Sequence, residues 1–219
     1  MQRTHGFFYH FVYMTNGWRS GYTEVSIIDT AILIAGAIVA GEYFGGEIRE
    51  KVDAIYQAIE WDWYYDQTRN MFYMGYSPES GFGGHWDMAN EQLMIYFLAA
   101  ASENHSVGKI AYDVMKANSQ IKAFGTSVPF YVSYPGPLFI YQYSHAFFDF
   151  RNYDDAEGVN WFDNSVNASI AAYDYAQYMS VRYKTLNATS WGMTACDGPD
   201  GYRAYGNLPA VGTIYVDGT

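Results

Sequence analysis

Cysteine is nearly absent. Cys196 is the single one in 219 residues, so no intrachain disulfide can form, no cysteine-rich zinc site is available, and cysteine usage gives no compartment. Charge is also sparse, at 16% of residues, and bases are scarcer than acids: 12 Lys and Arg against 23 Asp and Glu, a net charge of −11. Such a surface repels phosphate backbones and offers no basic patch to anionic lipid, so neither nucleic acid nor a membrane is an expected partner. The longest apolar stretch, residues 31–40, falls short of the roughly 20 residues that span a bilayer. The opening MQRTHGFFYHF lacks the charged-then-apolar order of a signal peptide. The five histidines (His5, His10, His85, His105, His145) show no H-E-x-x-H spacing. There is no G-x-S-x-G elbow, Walker loop or dinucleotide glycine pattern, and neither a metal nor another cofactor is expected.

Aromatic residues are abundant: 23 Tyr, 14 Phe and 6 Trp make up 20% of a chain that is 50% hydrophobic. This excludes a disordered protein. The length favours one domain, residues 1–219, able to bury roughly 70% of the surface its unfolded form exposes. Tyr and Trp pair an apolar face with a polar edge, as a sugar ring does. Aromatic walls with buried carboxylates suit a carbohydrate site; the plainer reading is Tyr packing between helices.

Along the chain, residues 4–21 read as loop or short strands. Residues 23–44 repeat Ile27, Ile28, Ala31, Ile34, Ala35 and Ile38 at helical spacing, with Thr23 as a cap and Gly45-Gly46 as the stop. Being apolar nearly all round, this helix is expected to be deeply buried. Residues 47–59 form an amphipathic helix, antiparallel to the first across the short break. Residues 61–89 hold a hairpin and a Pro- and Gly-rich loop of the kind that often carries function. Further helices are expected at 90–101, 105–117, 138–150 and 161–183, and a non-helical tail follows. Greasy and amphipathic helices in pairs, with long aromatic loops between them, suggest an all-α fold of the α/α-toroid type, with too few helices to close a six-pair barrel.

Most acidic residues belong on solvated faces. Glu24 instead shares a helical face with Ile27, Ile28 and Ala31, Asp29 sits inside the same apolar helix, and Glu91 shares a face with Met94, Ile95 and Leu98. Asp149 lies between Phe148 and Phe150, where His145 or Arg151 is its expected partner. A buried ionised carboxylate without partners is costly, so such a group is hydrogen-bonded, neutralised or used. Glu24 and Glu91 each begin a helix after an aromatic loop, and in a barrel such ends open on one rim. Two opposed carboxylates are what glycoside hydrolysis requires.

The segments HGFFYHF (5–11), EVSIIDTAILIAGAIVAGEYF (24–44), MGYSPESGF (74–82), NEQLMIYFLAAAS (90–102), LFIYQYSHAFFDFR (138–151), NSVNASIAAYDYA (164–176) and WGMTACDGPDGYRAYG (191–206) resemble the glycoamylase-like domain of bacterial endo-β-1,2-glucanases and cyclic β-1,2-glucan synthases. The resemblance runs over almost the whole chain. It implies an (α/α)6 barrel and hydrolysis of a β-linked glucan, β-1,2-glucan first, by an inverting mechanism. By the motif match Glu24 would be the general acid. Asp197 would be the base, or Glu91 the nucleophile if the mechanism is retaining. His10, Tyr76, Trp86, Tyr143, His145 and Arg151 would bind an oligosaccharide or polysaccharide substrate. Family enzymes are about twice as long, and the match is to their C-terminal half, so a second chain or copy completing the barrel is an expected partner. Relatives are commonly exported, which suggests a periplasmic or extracellular setting. The competing expectations are a non-catalytic carbohydrate-binding or assembly module and a hydrolase of another glycan such as α-glucan.

Overall fold

The computed structural model describes residues 1–199, 201–204, 206–208 and 213–215. Asp200 and Tyr205 of the last motif lie outside the described residues. The chain divides into two compact units, Met1–Asp87 with Gln92–Asn118, and Met88–Glu91 with Ser119–Thr219.

The first unit opens with β1 (Arg3–Thr4) and β2 (Phe7–Phe8), an antiparallel pair closed by a turn at His5-Gly6. Gly6 takes φ +84°, and a side-chain carbon there would fall 2.3 Å from the Ala58 carbonyl oxygen. Only glycine fits such a position. After a loop come β3 (Val25–Ser26), α1 (Ile27–Phe44) and α2 (Gly46–Gln57). A single 3₁₀ turn, Trp61–Tyr64, leads into β4 (Tyr65–Asp66), β5 (Met71–Ser77) and β6 (Gly81–His85). β5 is central: it pairs antiparallel with β3, β4 and β6. The helices α3 (Leu93–Ala100) and α4 (Ile110–Asn118) complete the unit. Its core joins Ile27 and Ile34 of α1, Met94 and Ile95 of α3 and Met115 of α4 to Phe7, Trp61, Tyr64 and Phe72, all nearly inaccessible to solvent. Each such side chain contributes about 1.5–3 kcal/mol of burial. The rings interlock: Phe7 meets Tyr64 edge-on at 4.5 Å, and Tyr73 stacks on Phe82 at 4.5 Å.

The second unit contains β7 (Gln120–Lys122) and β8 (Phe130–Val132), which pair with each other, then α5 (Trp161–Met179). The hairpin of β9 (Ala195–Gly198) and β10 (Gly201–Ala204) follows, and then β11 (Gly206–Leu208) paired with β12 (Thr213–Tyr215). Phe130, Val132, Ala168 and Ala171 form a small core, flanked by Phe124 and Tyr141.

Several expectations need correction. Among the described residues the fold mixes five α-helices with short antiparallel sheets, so it is not all-α. The helix expected from residue 23 starts at Ile27, because Val25 and Ser26 pair with Tyr76 and Gly75 of β5 instead of coiling. α1 is also not buried all round. Ile27, Ala31, Ile34 and Ala35 face the core, whereas Leu33, Val39, Tyr43 and Phe44 are exposed. By length and composition α1 is apolar enough to cross a membrane; here its buried face belongs to the core it shares with α3. Residues 138–150 form successive 3₁₀ turns, Leu138–Tyr141 and Tyr143–Ala146, with a third at Phe150–Asn152, and not one helix. Such turns close on i→i+3 bonds and seldom extend.

Candidate active site

In the first unit, the loop of residues 10–24 folds back on itself. Val12 bridges Arg19, Tyr13 N–H bonds Trp18 O at 2.8 Å, and His10 N–H bonds Glu24 O at 2.9 Å. Glu24 therefore stands on an extended segment at the edge of β5, and its expected helical face does not exist. Its side chain, 43% exposed, reaches His10, whose Nδ1 is 2.8 Å from Oε1. The other ring nitrogen lies 3.7 Å from Asp29 Oδ2. The His10 ring stacks on Phe11 at 4.2 Å, which fixes its plane.

Asp29 is in the first turn of α1, where a carboxylate meets the positive end of the helix dipole. Ser26 caps that helix: its Oγ accepts from Asp29 N–H at 3.2 Å and donates to Asp29 Oδ2 at 2.5 Å. One imidazole is thus set between two carboxylates, and each carboxylate is held by its own element. Below them, Tyr64 donates its phenol to Val25 O, and burial pushes that phenol well above its ordinary pKa. Tyr76 faces Val25 in register and packs on Trp63 and Phe82 at 4.8 and 5.0 Å. Trp86 is 6% exposed, so its indole lies in the core.

The other candidates belong to the second unit. Glu91 is half-buried in the turn before α3 and not on a helix, and its carbonyl accepts from Ser144 Oγ at 3.0 Å. Tyr143 is 40% exposed. His145 Nε2 is 2.8 Å from Ser165 Oγ, while the buried Nδ1 has no hydrogen-bond partner among the described residues. Burial holds its pKa below the ordinary histidine value. Arg151 grips Asp149 with two bonds of 2.7 Å, which keeps that carboxyl down at about 2. Arg151, and not His145, is therefore the Asp149 partner. Asp197 is exposed on β9, opposite Tyr202 of β10. His145 also lines two open cavities, of about 630 and 430 Å³. The larger is walled by Tyr141, Phe162, Tyr173 and Trp191.

The structure thus groups His10, Glu24 and Tyr76 in the first unit. It groups Glu91, Tyr143, His145 and Arg151 around the turns of residues 138–151 in the second, with Asp197 on its own hairpin. Asp29, marked in the sequence only as an acid within an apolar helix, joins His10 and Glu24 here, whereas Arg19, Glu79 and Ser165 stand outside the sequence-based candidates. Ser26 and Asp29 do form a local signal, a hydroxyl three residues before an acid at a helix start. Arg19 and Glu79 are 60 residues apart and gave none. Among the described residues no group of three or more His, Cys, Asp or Glu could hold a metal ion.

The family model Glycoamylase, described as "Putative glucoamylase", matches residues 84–219. This chain belongs to that family. The match takes in Glu91, Asp197 and the 138–151 turns, and leaves His10 and Glu24 outside it. An exo β-1,2-glucooligosaccharide sophorohydrolase of Parabacteroides distasonis is 23% identical over 242 aligned positions, which cover 94% of this chain and 33% of that protein. Among solved structures, a glucoamylase-type family member from Bacteroides caccae is 26% identical with a TM-score of 0.80, covering 94% of this chain and 54% of its own. An endo-β-1,2-glucanase from Chitinophaga pinensis, solved with sophorotriose and glucose, is 24% identical with a TM-score of 0.78, covering 93% and 53%. These alignments include the N-terminal residues that the family model omits. The chain spans about half the length of these solved relatives and a third of the curated one.

Proposed function

We propose that this chain carries the acid-bearing part of a glycoside hydrolase acting on β-1,2-linked glucan. The observation that supports this reading most is the His10–Glu24 pair, half-exposed on the edge of an aromatic sheet. The substrate class is taken from the Parabacteroides and Chitinophaga relatives. Glu24 in its protonated form gives its proton to the glycosidic oxygen as the bond to the anomeric carbon breaks. In the inverting scheme, which we favour, Asp197 removes a proton from the attacking water. In a retaining scheme Glu91 would attack instead. Tyr76 and Trp86 of the first unit and Tyr143, His145 and Arg151 of the second are our candidates for ring faces and hydrogen bonds to the sugar.

The architecture we propose is part of an (α/α)6 toroid. The exposed Leu33, Val39, Tyr43 and Phe44 on α1 then await the remaining helices, from a second chain, a second copy or a longer form of this one. The setting we propose is the periplasm or cell exterior, which fractionation of the source cells would test.

Release of reducing ends from β-1,2-glucan tests the activity. Glu24→Gln is expected to lower the rate about 10²–10⁴-fold with the melting temperature unchanged. Undiminished hydrolysis in that variant removes Glu24 from the reaction. Saturable oligosaccharide binding without turnover in the unaltered protein identifies a binding module instead, and turnover of α-glucan alone overturns the linkage.

A further inference from the structure

Arg19 forks onto Glu79 across 60 residues of sequence. Its Nη1 and Nη2 bond Glu79 Oε1 and Oε2 at 2.6 and 2.8 Å. Its Nε donates to the Thr23 carbonyl at 2.6 Å. The guanidinium lies 5.2 Å from the centre of the Tyr9 ring, and the side chain is only 13% exposed. Glu79 comes from the turn between β5 and β6, where Ser77 Oγ holds its Oε2 at 2.7 Å. One side chain thus ties two elements: the 10–24 loop, which it grips at the peptide immediately before Glu24, and the β5–β6 turn.

From this we infer that Arg19 is a positioning residue for Glu24, anchored by Glu79 and acting through the Thr23 carbonyl. The role rests on the reading of Glu24 as the proton donor, but the positioning itself does not. A carboxyl in a loop delivers its proton efficiently only if its backbone is fixed, and misplacement by about 1 Å can cost a hundredfold in rate. The Thr23–Glu24 segment is held from one side by His10 N–H on Glu24 O and from the other by Arg19 Nε on Thr23 O. The Thr23 hydroxyl adds bonds to Phe11 O and Ser20 O, at 3.2 and 3.1 Å, which close the loop locally. Arg19 alone links the loop to the hairpin turn among these contacts. A lysine could replace its charge but not its geometry, since one ammonium cannot make a bidentate pair with Glu79 and also reach Thr23 O as a planar fork does. The clamp also persists through the working pH range, because Arg19 holds the Glu79 carboxyl down at about 2.

The test uses the full chain and a readout that needs no activity. His10 ring-nitrogen resonances are recorded by NMR with and without Glu24→Gln, in backgrounds carrying Arg19, Arg19→Lys or Glu79→Gln. With Arg19 present, Glu24→Gln should perturb the His10 ring strongly, because the two are bonded. In both altered backgrounds that perturbation should at least halve, while the thermal midpoint stays within a few degrees. An equal perturbation in all three backgrounds overturns the proposal. Hydrolysis of β-1,2-gluco-oligosaccharides supplies the second arm: Arg19→Lys should lower kcat about tenfold with KM little changed. If the unaltered chain hydrolyses nothing, the proposed function fails and the resonance experiment still decides the positioning. A loss of kcat that merely tracks a loss of folded protein also overturns it.

Discussion

Gly75 makes room for Glu24. A side-chain carbon built on Gly75 would lie 3.2 Å from Glu24 Cγ, tighter than an ordinary van der Waals contact. The glycine has no unusual backbone angle to justify it; its value lies in letting the acid lie flat across β5. Gly75→Ala should therefore push the Glu24 carboxyl aside by a few tenths of an ångström, and the His10 contact with it. We expect kcat/KM on β-1,2-glucan to fall about tenfold, with a stability change of about 1 kcal/mol or less. Steady-state kinetics and thermal melting together check this. Unaltered kinetics would show that the close approach has no bearing on catalysis.

Two exposed carboxylates make the fold sensitive to acid. Arg19 holds Glu79, and Arg151 holds Asp149, at about 2, against ordinary values of about 4. A carboxyl whose pKa is lower in the folded state binds fewer protons there than in the unfolded chain. Its contribution is complete above pH ~4.5 and is lost as pH falls toward 2. Denaturation midpoints between pH 6 and 2.5 should decline, and Arg151→Gln should flatten part of that decline. An identical slope in the variant would show that the Asp149–Arg151 pair adds nothing, as many surface pairs do.

His145 should act over a different range. Burial lowers its pKa, and among the described residues Nδ1 meets no acceptor for a second proton. The unfolded chain takes up that proton first, near pH 6.5, so stability from this residue is present above that pH and is lost below it. His145→Gln keeps a donor for Ser165 but cannot titrate. It should be less stable than the parent at pH 8, with the difference narrowing by pH 5.5. Parallel melting curves across that interval would mean that the ring is not buried in solution.

A local hydrophobic period was enough to find α1, α2 and α5, and a local pairing was enough to offer Arg151 to Asp149. What was not legible was non-local. Thr23 has the chemistry of a helix cap, and nothing in residues 23–27 announces that Val25 pairs with Tyr76, about fifty residues on. That pairing places Glu24 on an extended segment and not on a helical face, and its imidazole neighbour, His10, is fourteen residues back in the folded loop. The stretch 138–150 carries enough aromatic spacing to suggest a helix. Its chain turns tightly three times instead, with Ile140, Ser144 and Phe150 buried in succession. Glu91 was misplaced for a similar reason, since its turn is bonded to Ser144 more than fifty positions away.

The outward side of α1 has a colloidal consequence. Leu33, Val39, Tyr43 and Phe44 leave grease in water on a molecule of net charge −11. At low ionic strength mutual repulsion keeps copies dispersed. Near 0.1 M salt the charges are screened beyond roughly 10 Å, and short-range attraction between bare helices takes over. We therefore expect association between copies to rise with ionic strength, with this face of α1 as one contributor, which light scattering across a salt series would measure.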